Sequence, residues 1–282
     1  MRDQFTTNRF QFINPNDREG KSSFICNMKN KRKNLTILVV GASGATGRLL
    51  VDQLLQRGHN VKAIVRTSAS MPDFLLDRDR LQVILASILD LSDEVLATHV
   101  NDCDAVASCL GHNLTWKGIY GQPRRLVTEA TRRLCSAIKT NQPEKAVRFV
   151  LMNTSGNRNR DLDEAISFGQ KCIIALLRLL LPPHVDNEQA AEYLRVTIGQ
   201  NDKSIQWAAV RPDGLIDEDE VTEYEIHPSP IRSAIFDAGK ISRINVGHFM
   251  ADLMTDDVIW NQWKQQMPVI YQKESHKIKY DR

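Results

Sequence analysis

Apolar and polar positions along this chain keep changing period. Residues 37–40 are uniformly apolar, and the stretch that begins at Arg48 then gathers Leu49, Leu50, Val51, Leu54 and Leu55 on one side of a helical wheel. A short apolar run bounded by turn residues is the pattern of a strand buried on both faces, and the longer period is that of a helix resting on it. The succession recurs. It predicts strands at 36–41, 61–66, 81–86, 104–110, 147–153 and 205–211, with helices at about 45–58, 91–101, 123–141, 163–181, 187–199 and 244–256. Strands that alternate with helices pair in parallel through crossover connections, so the expected fold is α/β with a doubly wound parallel sheet. After Arg211 the rhythm breaks. Residues 217–220 with Glu223 and Glu225 make an acidic surface run, while Thr222, Tyr224 and Ile226 alternate as an edge strand does. A last strand is expected at 268–272, and residues of about 213–243 are expected to form a small substrate lobe.

The turn between the first strand and the first helix reads Gly41-Ala-Ser-Gly-Ala-Thr-Gly47. Glycines at this spacing let a pyrophosphate approach the backbone and let helix and strand pack closely. The N–H groups and the positive dipole end of the helix point at whatever sits there, so the turn is an anion site. Between a buried strand and an apolar-faced helix it predicts dinucleotide binding, on a Rossmann-like sheet. The second strand ends in Arg66, where an NAD-preferring site offers an acid to the ribose hydroxyls. A planar guanidinium suits a 2′-phosphate instead, so the expected cofactor is NADP(H).

Further candidates lie where the other strands end. Ser87 and Ile88 follow the third strand, where the adenine ring is expected, although an ordinary loop exit explains them equally. The fourth strand breaks at Cys109-Leu110-Gly111, whose backbone is expected near the nicotinamide-side ribose. Cys109 itself reads as a packed thiol, since no basic neighbour accompanies it. Asn153, Thr154 and Ser155 end the fifth strand and are placed to donate to a substrate carbonyl or the ribose, with Ser155 the candidate catalytic donor. Turn chemistry accounts for the same residue types. Pro212 ends the sixth strand, so Asp213, Gly214 and Leu215 can cross the cleft mouth and bond the nicotinamide carboxamide. His112 lies at a strand end near the cleft, and His184 follows a double proline in an expected loop.

Charge narrows the partners. The first 35 residues carry eight Lys or Arg against three acids, whereas the whole chain carries 37 against 34, so the remainder is slightly acidic. A nucleic-acid binder is not expected. Residues 1–35 read as a flexible basic arm, and Met28 stands close enough to the first strand to be an alternative start. Five cysteines without CxxC spacing give neither a disulfide framework nor a metal site, which points to a reducing, cytoplasmic compartment. No stretch is long and apolar enough for a membrane span. Residues 172–181 of the predicted helix 163–181 come closest, being apolar nearly all round apart from Arg178. Burial against the sheet, a wall for a hydrophobic acceptor and an oligomer contact remain open for it.

These motifs, with Val65-Arg66, Asp104-Ala-Val, Asn153-Thr-Ser-Gly156 and Val210-Arg-Pro212, resemble those of atypical short-chain dehydrogenases/reductases of the NAD(P)H-binding, NmrA-like kind. Flavin and biliverdin reductases and sugar-nucleotide epimerases are similar. The resemblance spans about residues 36–272. It implies that Gly41, Ser43, Gly44, Ala45, Thr46 and Gly47 hold the pyrophosphate, that Arg66 holds the 2′-phosphate, and that residues 213–216 touch the nicotinamide. Two departures matter. Relatives carry an Asp where this chain has Ser87, and the Tyr-x-x-x-Lys pair of typical members is missing, since Tyr120, Tyr193 and Tyr224 are followed four residues on by Arg124, Thr197 and Pro228. The expected activity is hydride transfer to a flavin, quinone or conjugated small molecule, whose own electronics carry much of the chemistry. An NADP(H)-sensing protein without turnover is the alternative, followed by an epimerase-like isomerase.

Overall fold

The computed structural model describes residues 34–112, 115–162, 164 and 167–273. The basic arm up to residue 33, with Met28, lies outside the described residues, but Leu35, which the sequence assigned to the arm, already packs on the core and donates its N–H to His59 Nδ1 at 3.2 Å. The body begins with β1 (Thr36–Val40), α1 (Gly47–Gln56), β2 (Asn60–Val65), a short α2 (Asp73–Leu76), β3 (Leu81–Leu85), α3 (Asp93–Val100) and β4 (Ala105–Ser108). It continues through α4 (Trp116–Tyr120), α5 (Leu126–Thr140), β5 (Val147–Met152), α6 (Phe168–Leu180), α7 (Pro182–Glu192) and β6 (Ile205–Pro212). The remaining elements are β7 (Gly214–Ile216), β8 (Tyr224–His227), β9 (Lys240–Ser242), α8 (Arg243–Thr255), α9 (Asp257–Trp263) and β10 (Val269–Gln272).

Eight strands form one sheet in the order β3-β2-β1-β4-β5-β6-β10-β8, all parallel except β8, which runs antiparallel to β10. Both faces are covered. Ile37 and Val39 face one core layer with residues of α1, α8 and α9, while Leu38 and Val40 face the other with residues of α3, α5 and α7. This is why β1 reads as a continuous apolar run rather than an alternating one. The chain leaves β1 toward β2 and β3, then returns to β4 on the other side, so the order reverses between β1 and β4. A crevice opens at such a point outside the carboxyl ends of the strands. The Rossmann-like expectation thus matches the structure.

Within the stretch expected to form a lobe, β7 pairs with β9 in a separate two-stranded parallel sheet, and the expected edge strand is β8. Three local expectations change. The double proline ends α6 yet begins α7, because proline lacks only an N–H that a helix's first turn leaves unpaired anyway. His184 therefore sits in the first turn of α7 rather than in a loop, and the expected helix at 187–199 starts five residues earlier and ends in a π-helical turn at Tyr193–Ile198. Helix α6 is not packed against the sheet. Ile174 is its one buried residue, and Phe168, Leu176, Leu179 and Leu180 are exposed. No described helix is long and apolar enough to cross a membrane.

Candidate functional site

Two glycines make the turn after β1 possible. Gly41 has φ +72°, and a Cβ there would stand 2.6 Å from the Cys109 carbonyl carbon and oxygen. β1 and β4 come this close only where one of them has no side chain. At Gly47 a Cβ would stand 2.1 Å from the Gly41 carbonyl oxygen, so α1 rests directly on the turn that precedes it. Gly44 closes the turn by donating its N–H to the Gly41 oxygen at 3.0 Å, and it remains exposed. No side chain caps the N-terminus of α1, and its first turn holds no acid. The dipole end and its amides are left for an anion.

Around this turn lies a cavity of about 210 Å³, lined by Gly41, Ser43 and Gly44, by Arg66 at the end of β2, by residues 86–89 after β3, and by Cys109, Leu110 and Gly111 after β4. Pro123 and Leu126 complete the wall. Arg66 is exposed and makes no ion pair among the described residues, so its guanidinium is available to a ligand. The stretch after β3 is apolar at Ala86, Ile88 and Leu89, and Arg133 on α5 holds it in place. That guanidinium donates to the carbonyls of Ile88 at 2.9 Å and Leu89 at 2.8 Å, to that of Leu91, and to Asp93 at 2.8 Å. Nothing in the sequence marks Arg133, which sits on an otherwise ordinary amphipathic helix. Open backbone amides, a guanidinium without an ion pair among the described residues and an apolar wall fit the phosphates and adenine of a dinucleotide. Cys109 is a wall and not a nucleophile, because burial pushes its thiol up to about 12.

The other candidates gather at the ends of β5 and β6 and are committed to one another. Asn153 is buried, donates to the Asn187 carbonyl at 2.9 Å and accepts from the Thr154 N–H and the Asn157 amide. Ser155 is buried too, and its hydroxyl donates to Asp213 Oδ1 at 3.0 Å, whose Oδ2 accepts the Gly239 N–H at 2.8 Å. Gly214 N–H meets the Gly239 carbonyl at 3.1 Å, and Leu215 lies in β7. These residues tie β5 to α7 and to the lobe. Ala45, Thr46 and Gly47 belong to the phosphate turn without lining the cavity, and Asn153, Thr154, Ser155, Asp213, Gly214 and Leu215 do not line it either.

Two arrangements escaped the sequence reading. Arg211 is fully buried, forks onto Glu164 at 2.8 and 3.2 Å, and donates to the carbonyls of Met267, Asn157 and Pro228 at 2.6, 2.9 and 3.1 Å. A charged residue inside an apolar strand run was the available signal. His112 is the second case: its Nε2 lies 2.7 Å from Asp186 Oδ2, and the same carboxylate accepts the N–H groups of Val127 and Thr128 that begin α5. Although burial opposes ionisation of Asp186, these bonds hold it below the usual carboxylate range. His112 therefore anchors β4's end to α5 and α7.

A family model of NAD(P)H-binding domains matches residues 41–257. An uncharacterized chloroplastic protein of Arabidopsis thaliana is 34% identical over 189 residues, which cover 66% of this chain and 61% of that protein. The 3-diazoavenalumate denitrifying reductase of a Streptomyces species is 33% identical over 113 residues, 37% of this chain and 34% of that enzyme. The chain thus spans less than two thirds of either relative. A wide-type short-chain dehydrogenase/reductase from Veillonella parvula, solved in complex with NADP, superimposes with a TM-score of 0.60 at 17% identity, covering 86% of this chain and 96% of that one. The match across most of the body, on a sheet whose switch point carries the glycine turn, establishes that this chain belongs to the NAD(P)H-binding family.

Proposed function

We propose that the protein is an NADP(H)-dependent reductase that passes hydride to a flavin, quinone or similarly conjugated acceptor. One observation carries the choice of cofactor: Arg66 closes the adenosine side of the cleft with an unpaired guanidinium, where an acid would repel a 2′-phosphate. Bound NADPH would supply the hydride, and the protein's part is to hold it between the glycine turn, Arg66 and the apolar wall pinned by Arg133. Ser155 acts through Asp213, fixing the loop that follows β6. An acceptor whose reduction delocalises charge over a conjugated ring needs no Tyr-Lys pair.

Titration with NADPH and NADH tests the assignment. A charge-assisted hydrogen bond is worth about 1.5–3 kcal/mol, so Arg66→Ala weakens NADPH by about 10- to 100-fold and leaves NADH unchanged. Equal losses for both nucleotides would overturn it. NADPH oxidation with menadione or FMN as acceptor tests the activity. A second reading, an NADP(H) sensor without turnover, is favoured by the commitment of the Ser155 proton to Asp213. Tight NADPH binding with no acceptor reduced would select it.

A further inference from the structure

A second cavity, of about 410 Å³, opens at Gly156, just beyond the end of β5, and runs between the following loop and the facing sides of α6 and α7. β5 is the strand next to β4, so this cavity lies one strand further along the sheet than the wall formed by Cys109, Leu110 and Gly111. Its size is that of a small-molecule site. The lining holds four cations, Arg158, Arg160, Lys171 and Arg178, against two carboxylates, Glu188 and Glu192.

Both carboxylates are already answered. Arg178 forks onto Glu188 through Nε and Nη2 at 2.8 and 2.9 Å. Arg195, which is not part of the lining, forks onto Glu192 at 3.1 and 2.9 Å. Arg195 also pairs with Asp161, so Glu192 shares it and is met by Arg160 as well, at 3.4 Å, whereas Lys171 makes no ion pair among the described residues. Arg160 and Lys171 are both exposed, so their attraction for an anion is screened by salt. The apolar part of the wall is Ile174, the one buried residue of α6.

We infer that this cavity receives an organic anion, its carboxylate or phosphate facing Lys171 and Arg160 and its apolar body lying against Ile174. The inference deepens the reductase reading and rests on it: the anion is the acceptor, admitted at the carboxyl end of β5. It also gives the otherwise exposed α6 a role as the outer wall of an acceptor site.

Calorimetric titration of the full chain saturated with NADP⁺, which has no hydride to give, tests this with two probe pairs: FMN against riboflavin, and cinnamate against cinnamamide. Each pair shares its ring system and differs in the anionic group. The anionic member of at least one pair binds about tenfold more tightly at low salt, and the advantage shrinks when the ionic strength is raised to about 0.5 M. The first pair showing it identifies phosphate as the preferred group, the second carboxylate. In the double variant Lys171→Gln/Arg160→Gln the advantage falls to about twofold or less, while the affinity for NADPH is unchanged. No preference in either pair overturns the inference, as does a preference that survives in the double variant. Turnover of NADPH with the neutral quinone menadione is the separate readout. Turnover without anion preference removes this inference alone, and failure to bind or oxidise NADPH removes the reductase reading while leaving an anion preference of the apoprotein intact.

Discussion

Replacing Arg211 by methionine removes a fully buried side chain that makes five hydrogen bonds, without greatly changing its volume. Three backbone carbonyls lose a donor, and Glu164 keeps only the Asn159 N–H at 2.8 Å. Breaking a buried pair by deleting one partner costs about 3–5 kcal/mol, because the remaining charge stays desolvated. Set against a total stability of about 5–15 kcal/mol, this leaves a folded but weakened protein. Urea unfolding followed by tryptophan fluorescence measures it, with Trp207 in β6 as a buried reporter. At an m-value of about 3 kcal/mol/M the midpoint falls by about 1–2 M. The double variant Arg211→Met/Glu164→Met removes the stranded charge, so it is more stable than the single one, with a coupling of about 2–3 kcal/mol. The variant Glu164→Gln, which keeps an acceptor, costs about 1–3 kcal/mol and provides a measurement should Arg211→Met fail to fold. A single-variant loss below about 1 kcal/mol, or strict additivity in the cycle, would refute the reasoning.

Gly47→Ala forces a Cβ to within 2.1 Å of the Gly41 oxygen, a backbone atom that cannot step aside, and lowers stability by about 2–3 kcal/mol in thermal unfolding even without cofactor. Glu188 provides a pH test. Burial would raise its pKa, but the forked bonds and charge of Arg178, with the His184 imidazole 3.5 Å away, outweigh that and hold it at about 2 instead of 4.5. Stability gained from a depressed acid is fully present above the unfolded value and is lost as pH falls, here between about 4.5 and 2, by about 3 kcal/mol; Glu188→Gln flattens that limb of the stability profile. Cys109 stays unmodified by iodoacetamide at pH 8 in the native protein while the exposed Cys172 reacts, as peptide mass mapping would show.

What could be read from the chain alone is local. The glycine turn announces itself because strand, turn and helix are contiguous, and Arg66 is legible because it follows a strand directly. The central strands are legible because burial on both faces makes them predominantly apolar runs. Contacts made across long separations are not. Arg211 and Glu164 stand 47 residues apart, and Arg133 reaches a loop more than 40 residues upstream. Each carries a charge that the linear sequence assigns to solvent by default. The double proline misled in another way, since the same residues that stop one helix are permitted in the first turn of the next. The second cavity was missed because its cations come from a loop and from α6, and its carboxylates from α7, none of which shows a motif.

Helix α7 gives the arrangement a further consequence. Its Asp186 grips His112 and the start of α5, both adjoining the wall of the dinucleotide cleft, while two residues further on Glu188 stands in the lining of the second cavity. One helix of eleven residues thus supports the first cavity and lines the second. A ligand that displaced it from either side would change the affinity at the other, and linkage makes that change equal in both directions.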